Sequence, residues 1–265
     1  RALRQRWGLA NRFGQAQPGV GRQGREILLL LGLLLPLMLA IGHSLGIEPA
    51  ALLHWQPLPP LHSQHWQEAL ALPWGRLIGN TLLLTVLSAC LAVGGAPLLL
   101  LLVAPWRLAQ PLLRLLWALG RLWPPPLTAL LLLFVFKPGI WTAALALGFH
   151  NLGILGRLLL EGAESCSGAA EDALHGQGGG ARVALLYGRF SALARSYLAY
   201  GAYRSDVILR ETVVVGLMAG TGLGTQLQES LSSFAWDQIA LLLVAYAALT
   251  LVGEDLSDRA RRRLL

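Results

Sequence analysis

The sequence predicts an all-α integral membrane protein with about six transmembrane helices, and three observations carry that prediction. Hydrophobic residues make up 55% of the 265-residue chain and charged ones only 13%, with mean hydropathy +0.55, more than a soluble core of this size needs. Charge-free apolar runs recur at 27–47, 77–104, 122–136, 138–156, 212–227 and 238–253, most of them near the roughly 20 residues that cross a hydrocarbon core. The net charge of +7 is almost all arginine placed at the ends of those runs, which is the pattern of membrane topology rather than of nucleic-acid contact.

Taken in order, residues 1–25 form a basic tail carrying Arg1, Arg4, Arg6, Arg12, Arg22 and Arg25, solvated or lying on anionic headgroups. Residues 26–46 read as a first anchor. The run starts about 25 residues in and has no small-residue cleavage pattern, so a retained helix is expected instead of a signal peptide. Residues 47–76 form an outer loop without Lys or Arg before Arg76, and its Trp55, Trp66 and Trp74 suit an interfacial belt. The main transmembrane domain spans 77–257, followed by a basic tail at 258–265 with Arg259, Arg261, Arg262 and Arg263. Arg107 and Arg114 fall inside, Lys137 at an outer turn and Arg157 to Arg195 inside again, so the expected topology has both termini cytoplasmic.

Within this domain "RLWPPPLTALLLLF" places three prolines at the start of the third run, where a helix ladder must break. Cys90 falls in the second run and Cys166 in a cytoplasmic segment, an arrangement against a disulfide between them.

Several motifs invite chemistry. "GHSLG" at 42–46 matches G-x-S-x-G with Ser44 as nucleophile, but that motif needs a strand, a sharp turn and a helix, whereas here it follows an apolar helix. A membrane-embedded serine hydrolase is therefore a remote alternative. His54, His62 and His65, with His43 nearby, lack the HExxH spacing and cysteines of a metal centre, so no metal is expected. "HGQGGGAR" has the glycines of an anion-binding loop without the G-K-[ST] ending, and reads as a permissive turn between two helices. In "YRSDVILRETVVVG", Asp206 and Arg210 stand at i and i+4 and can pair, with Arg204 and Glu211 adding charge at the membrane boundary. Arginine in a span also suits an anion pathway, because its fork matches phosphate-type oxygens.

The residues resemble the membrane permeases of bacterial ABC importers, specifically the phosphonate-type permeases. That family has a cytoplasmic loop E-A-A, three residues, G, nine residues, I-x-L-P. Asp172, Ala173, Leu174 and Gly178 follow its first half, while Gly188, Phe190 and Ser191 stand at the I, L and P positions. The flanks extend the match. "HNLGILGRLLLEGAE" is similar to the family's H-T-A-G-M-L-G-K-L-F-S-E-A-I-E, and "YGRFSALARSYLAYGAYRSDVILRETVVVGLMAGTGLG" to its corresponding Y-G-V-L-P-Q to G-A-G-G-I-G segment. The resemblance covers about 77–263.

It implies a type I ABC importer permease fold like that of methionine-importer permeases, in a multi-pass protein of the bacterial inner membrane. It also implies partners: two cytosolic ABC ATPases that carry ATP and Mg, an extracytoplasmic binding protein, and a second permease chain forming a homodimer. The chain itself would bind no cofactor, do no catalysis and touch lipid but no nucleic acid. The loop at 163–190 would couple to the ATPases through Glu171, Asp172, Ala173, Leu174 and Gly178, centred on 169–180, with Glu161, Glu164 and Glu171 steering toward basic residues of that partner. His150, Arg204, Asp206 and Arg210 would line a pathway for phosphonate or a related phosphorus oxyanion such as phosphite. A permease for an amino acid such as methionine is the alternative, because "VVVGLMAGTGLG" also resembles the close of those permeases.

Overall fold

The computed structural model describes residues 20–46, 63–106 and 108–264. The basic tail up to residue 19, Trp55, His54, His62 and Arg107 lie outside the described residues. Two units emerge, Arg1–Pro59 and Pro60–Leu265. In the first, α1 (Val20–Ser44) contains an 18-residue stretch, Ile27–Ser44, of mean hydropathy 2.2. Ser44 ends this helix with its hydroxyl donating to the Ile41 carbonyl at 2.7 Å, so the strand-turn-helix context of a nucleophile elbow is missing there.

The second unit is helical throughout its described residues: α2 (Ser63–Leu70), α3 (Trp74–Val103), α4 (Ala109–Leu122), α5 (Pro125–Leu133), α6 (Ile140–Ser165), α7 (Ala169–Gly176), α8 (Ala181–Ala184), a π-helical turn at Leu185–Phe190, α9 (Ser191–Ala219), α10 (Gly222–Ser232) and α11 (Trp236–Leu264). With α1, the helices α3, α6 and α11 are long and apolar enough to cross a membrane, and two bent pairs bring the number of crossings to six if each makes one.

One bend falls where the prolines announce a break, the other inside a run that looked continuous. The third run is not one helix. Trp123 is extended ahead of Pro124 and Pro125, because the residue before a proline is pushed out of the helical region, and α5 leaves α4 at 100°. The fifth crossing starts well before residue 212, since the charged stretch 195–211 is continuous helix within α9. It breaks at Gly220, whose φ of +73° ends α9 while Gly220 N–H and Thr221 N–H both donate to Gly216 O, and α10 departs at 56°. The break docks on α3, where Thr81 Oγ1 accepts from Leu223 N–H at 2.9 Å. The outer boundaries shift too: α3 starts at Trp74 rather than 77, and α11 runs to Leu264 through the arginines assigned to a tail.

The core centres on α6, which is 61% buried in its apolar window and lies against α3, α4, α5 and α9. Lipid tails are as apolar as leucine, so the contacts rest on close packing. Small residues make them close: a side chain at Gly153 would meet the Trp117 carbonyl at 2.6 Å, and one at Gly156 would meet the Trp117 ring at 2.3 Å. Trp117 is in turn among the largest fully buried side chains.

Candidate coupling and translocation sites

The polar passage between α6 and α9 folds as an exposed hairpin. Its first arm, α7, has no buried residue, with Asp172 and Ala173 exposed and Leu174 half-buried. Glu171 and Asp172 in its first turn complement the helix dipole. Its end is a glycine stop: Gly178 sits at φ +81°, Gly179 N–H donates to Leu174 O and Gly178 N–H to His175 O. The anion-cradling appearance of "HGQGGG" thus resolves into a helix terminator.

Behind α7 stands Arg189, in the π-helical turn. Its Nε pairs with Glu171 Oε2, and its Nη1 donates to Ala163 O on α6 at 3.0 Å. One guanidinium therefore ties α6, α7 and the start of α9 together. Beside it, a side chain at Gly188 would meet the Glu171 backbone N and Cα at 2.9 Å. That contact explains why glycine stands at the family's isoleucine position. Ser191 has a reason as well: its N–H donates to Leu186 O, a bond that proline cannot make, and the π turn runs unbroken into α9. The carboxylates expected to reach for a partner are already engaged within the chain: Glu161 pairs with Arg157, Glu164 with Arg114 at 2.8 Å, and Glu171 with Arg189. Between the hairpin and the α3–α4 turn lies a cleft of about 440 Å³, lined by Gln110, Arg114, Glu164, Glu171 and His175 among others.

The four pathway candidates make three separate sets of contacts. His150 Nδ1 lies 3.1 Å from Gly120 O and 3.1 Å from Trp123 O. Both are carbonyls, so the ring donates, and it fastens the break between α4 and α5. Arg204 Nε donates to Asn151 Oδ1 at 2.9 Å, while Asn151 Nδ2 donates to Leu147 O at 2.9 Å and to Glu211 Oε2 at 3.2 Å. Glu211, which neighbours Arg210 in sequence, instead faces Arg204, with Arg204 Nη2 and Glu211 Oε1 4.0 Å apart. Asp206 and Arg210 pair at 2.9 Å as their spacing suggests, but toward α11, where Arg210 also meets Glu254 at 3.1 Å. Gly253 brings α11 close, within 3.7 Å of Asp206 Oδ1 for an added Cβ. Tyr246 on α11 donates its hydroxyl to the Arg210 carbonyl.

Sequence reasoning missed Asn151 and Glu254. Asn151 is a lone amide in an apolar run and carried its own signal, since a fully buried polar side chain in a span needs partners. Glu254 lies one residue past the last apolar run and gave none. Cys90 and Cys166 are both free thiols. Among the described residues no group of His, Cys, Asp and Glu converges as metal ligands would.

The fold is that of an ABC importer permease: an amino acid ABC transporter solved with histidines superposes with a TM-score of 0.61 at 17% identity, over 77% of this chain and 100% of that one. Within that class the sequence relatives are named for phosphorus oxyanions. HtxE of Stutzerimonas stutzeri, named as a phosphite transport system permease, is 31% identical over 52% of this chain. The phosphate-import permease protein PhnE of Mycolicibacterium smegmatis is 30% identical over 72% of it, and the phosphite transport system permease protein PtxC of Stutzerimonas stutzeri 24% over 78%. The match spans 52% of HtxE's own length, 36% of PhnE's and 75% of PtxC's. No family model matches the chain. The chain is a multi-pass membrane protein related to phosphite, phosphonate and phosphate importer permeases.

Proposed function

We propose that this chain is the permease subunit of an ATP-driven importer of phosphonate or a related phosphorus oxyanion. Its α7 hairpin docks on cytosolic ABC ATPases, which bind ATP and Mg and perform the hydrolysis. An extracytoplasmic binding protein delivers cargo, a second copy of the chain completes the pathway, and both termini face the cytoplasm of an inner-membrane protein.

The observation that carries this reading is the hairpin. It offers an exposed helix with Asp172 and Ala173 outward, backed by an arginine that grips α6 and leads straight into α9. A push on α7 is thereby passed to both flanking helices as a rigid-body displacement rather than absorbed in a loose loop. The names of the relatives support the choice of cargo.

The test is uptake by the permease reconstituted in proteoliposomes with its ATPases and binding protein, offered phosphite, methylphosphonate, phosphate and methionine. Accumulation of a phosphorus oxyanion and not of methionine is expected; uptake of methionine alone would replace this reading with the amino-acid alternative. Asp172→Arg is expected to lower permease-stimulated ATPase activity several-fold while membrane insertion is unchanged. Undiminished stimulation would remove α7 from the docking surface.

A further inference from the structure

Neither of the two arginines that the family resemblance assigns to the pathway is a free cation. Arg204 is opposed by Glu211, and Arg210 by both Asp206 and Glu254, so the two clusters together hold two positive and three negative charges. An oxyanion entering here meets carboxylates that occupy the sites it would use. The two clusters differ in how firmly those carboxylates are held, and the difference singles out Glu211.

Arg204 is rigidly placed. Its side chain is only 12% exposed, its Nε is fixed on Asn151, and Asn151 is fully buried and itself anchored on Leu147 O. Among the described residues, that bond to Asn151 is the guanidinium's single hydrogen bond, leaving Nη2 4.0 Å from Glu211 Oε1. Glu211 is more loosely kept. It is 30% exposed, accepts one bond of 3.2 Å from Asn151, and reaches Arg204 only at the limit of an ion pair. Asn151 stands 11 residues into α6, about 16 Å along it, near the middle of a span, where an unopposed guanidinium is costly. A carboxylate beside it removes that cost yet lacks the close bidentate geometry that would make the pair permanent.

We propose that Glu211 is a tethered counter-anion that cargo must displace. With the pathway empty, its carboxylate neutralises Arg204. A doubly charged phosphorus oxyanion presents more charge and more oxygens to the two outer nitrogens of Arg204 than one carboxylate does, and takes its place. A singly charged oxyanion offers no such advantage and passes poorly. Glu211 is thus a specificity-determining residue acting by competition. This inference rests on the importer reading above.

The experiment compares uptake of methylphosphonate, at a pH above its second ionisation so that it is doubly charged, with that of its singly charged monomethyl ester by the complete importer in proteoliposomes, using the unmodified chain and Glu211→Gln. The binding protein is common to both, so a change in the ratio of the two rates belongs to the permease. Glu211→Gln keeps the length and a carbonyl acceptor for Asn151, and is expected to reduce discrimination against the monoester by about tenfold, or ~1.4 kcal/mol, read from the ratio of the two rates whatever the absolute rate of either. Glu211→Asp, which keeps the charge on a shorter arm, is expected to preserve most of the discrimination and guards against a defect of assembly in the glutamine variant. An unchanged ratio in Glu211→Gln overturns the inference while leaving the importer reading intact. Equal loss of discrimination in both variants also overturns it, because packing would then matter rather than charge. If the unmodified assembly moves neither compound nor any other phosphorus oxyanion, both readings fall.

Discussion

Arg189 and Arg204 reach α6, one at its end and one near its middle, and they are held in opposite ways. Arg189 donates to Ala163 O, one of the last four carbonyls of the helix, which have no partner within it. The helix end supplies an acceptor at no cost, and Glu171 closes on the other side of the guanidinium. Arg204 meets α6 where the backbone carbonyls already accept within the helix. Its acceptor is a side chain, Asn151, which also steadies Glu211 with its amide. A cation at a helix terminus needs only one carboxylate, whereas a cation in mid-span needs a purpose-built amide as well.

The contrast is broken most severely at Asn151. Leucine there would fill the space but leave the sheltered Arg204 Nε without its acceptor and the partly exposed Glu211 without its donor. We expect Asn151→Leu to destabilise the permease by about 3 kcal/mol, as removal of one partner from a buried charged network does. Thermal unfolding in detergent checks this, with Asn151→Asp as a companion that keeps the acceptor. A loss below about 1 kcal/mol for the leucine variant would mean that the mid-span arginine finds water or lipid headgroups instead, and the distinction between the two arginines would vanish.

The sequence made one of these two sites much easier to read than the other. The hairpin was legible because its signals are local: acids at a helix start, glycines at its end, and a family loop pattern laid on consecutive residues. Even so, the reasons for Gly188 and Ser191 were hidden, since they depend on the backbone of Glu171, 17 positions earlier, and on a π turn that no periodicity announces. In the membrane, the i,i+4 spacing revealed Asp206 with Arg210, but which face each charge occupies was not readable. Arg204 and Glu211, seven apart, share a face toward α6, while Asp206 and Arg210 look toward α11. The broken third and fifth crossings show the same limit. Proline announced one break, but the other lies inside an apolar run, marked only by glycines whose positive φ emerges when the chain is folded.

A smaller effect is expected at the helix-end arginine. In a charge-swap cycle, Glu171→Arg and Arg189→Glu should each weaken permease-stimulated ATPase activity, and the double variant should recover part of it. The pair is half-sheltered, so a coupling energy of about 1 kcal/mol is expected. Insertion and thermal stability should move little, which separates a role in holding α7 from one in holding the fold. If the double variant is as poor as the worse single one, Arg189 acts through Ala163 alone and the hairpin is not pinned by charge.

The smallest effect belongs to Glu254, and it sharpens the rule. Arg210 and Glu254 are 49% and 56% exposed, and Arg210 keeps its 2.9 Å contact with the buried Asp206 whatever happens on α11. Two long, half-exposed side chains give back in lost rotamer freedom much of what their attraction supplies, and screening takes more. Glu254→Gln also retains an oxygen that can accept from Arg210. The expected change in stability is therefore within about 0.5 kcal/mol, measured by the same unfolding assay used for Asn151→Leu. Should Glu254→Gln prove as damaging as Asn151→Leu, exposure would not be what separates firm from loose ion pairs here. The α9–α11 face would then have to be shielded in the working assembly, as it would be if a second permease chain covered it.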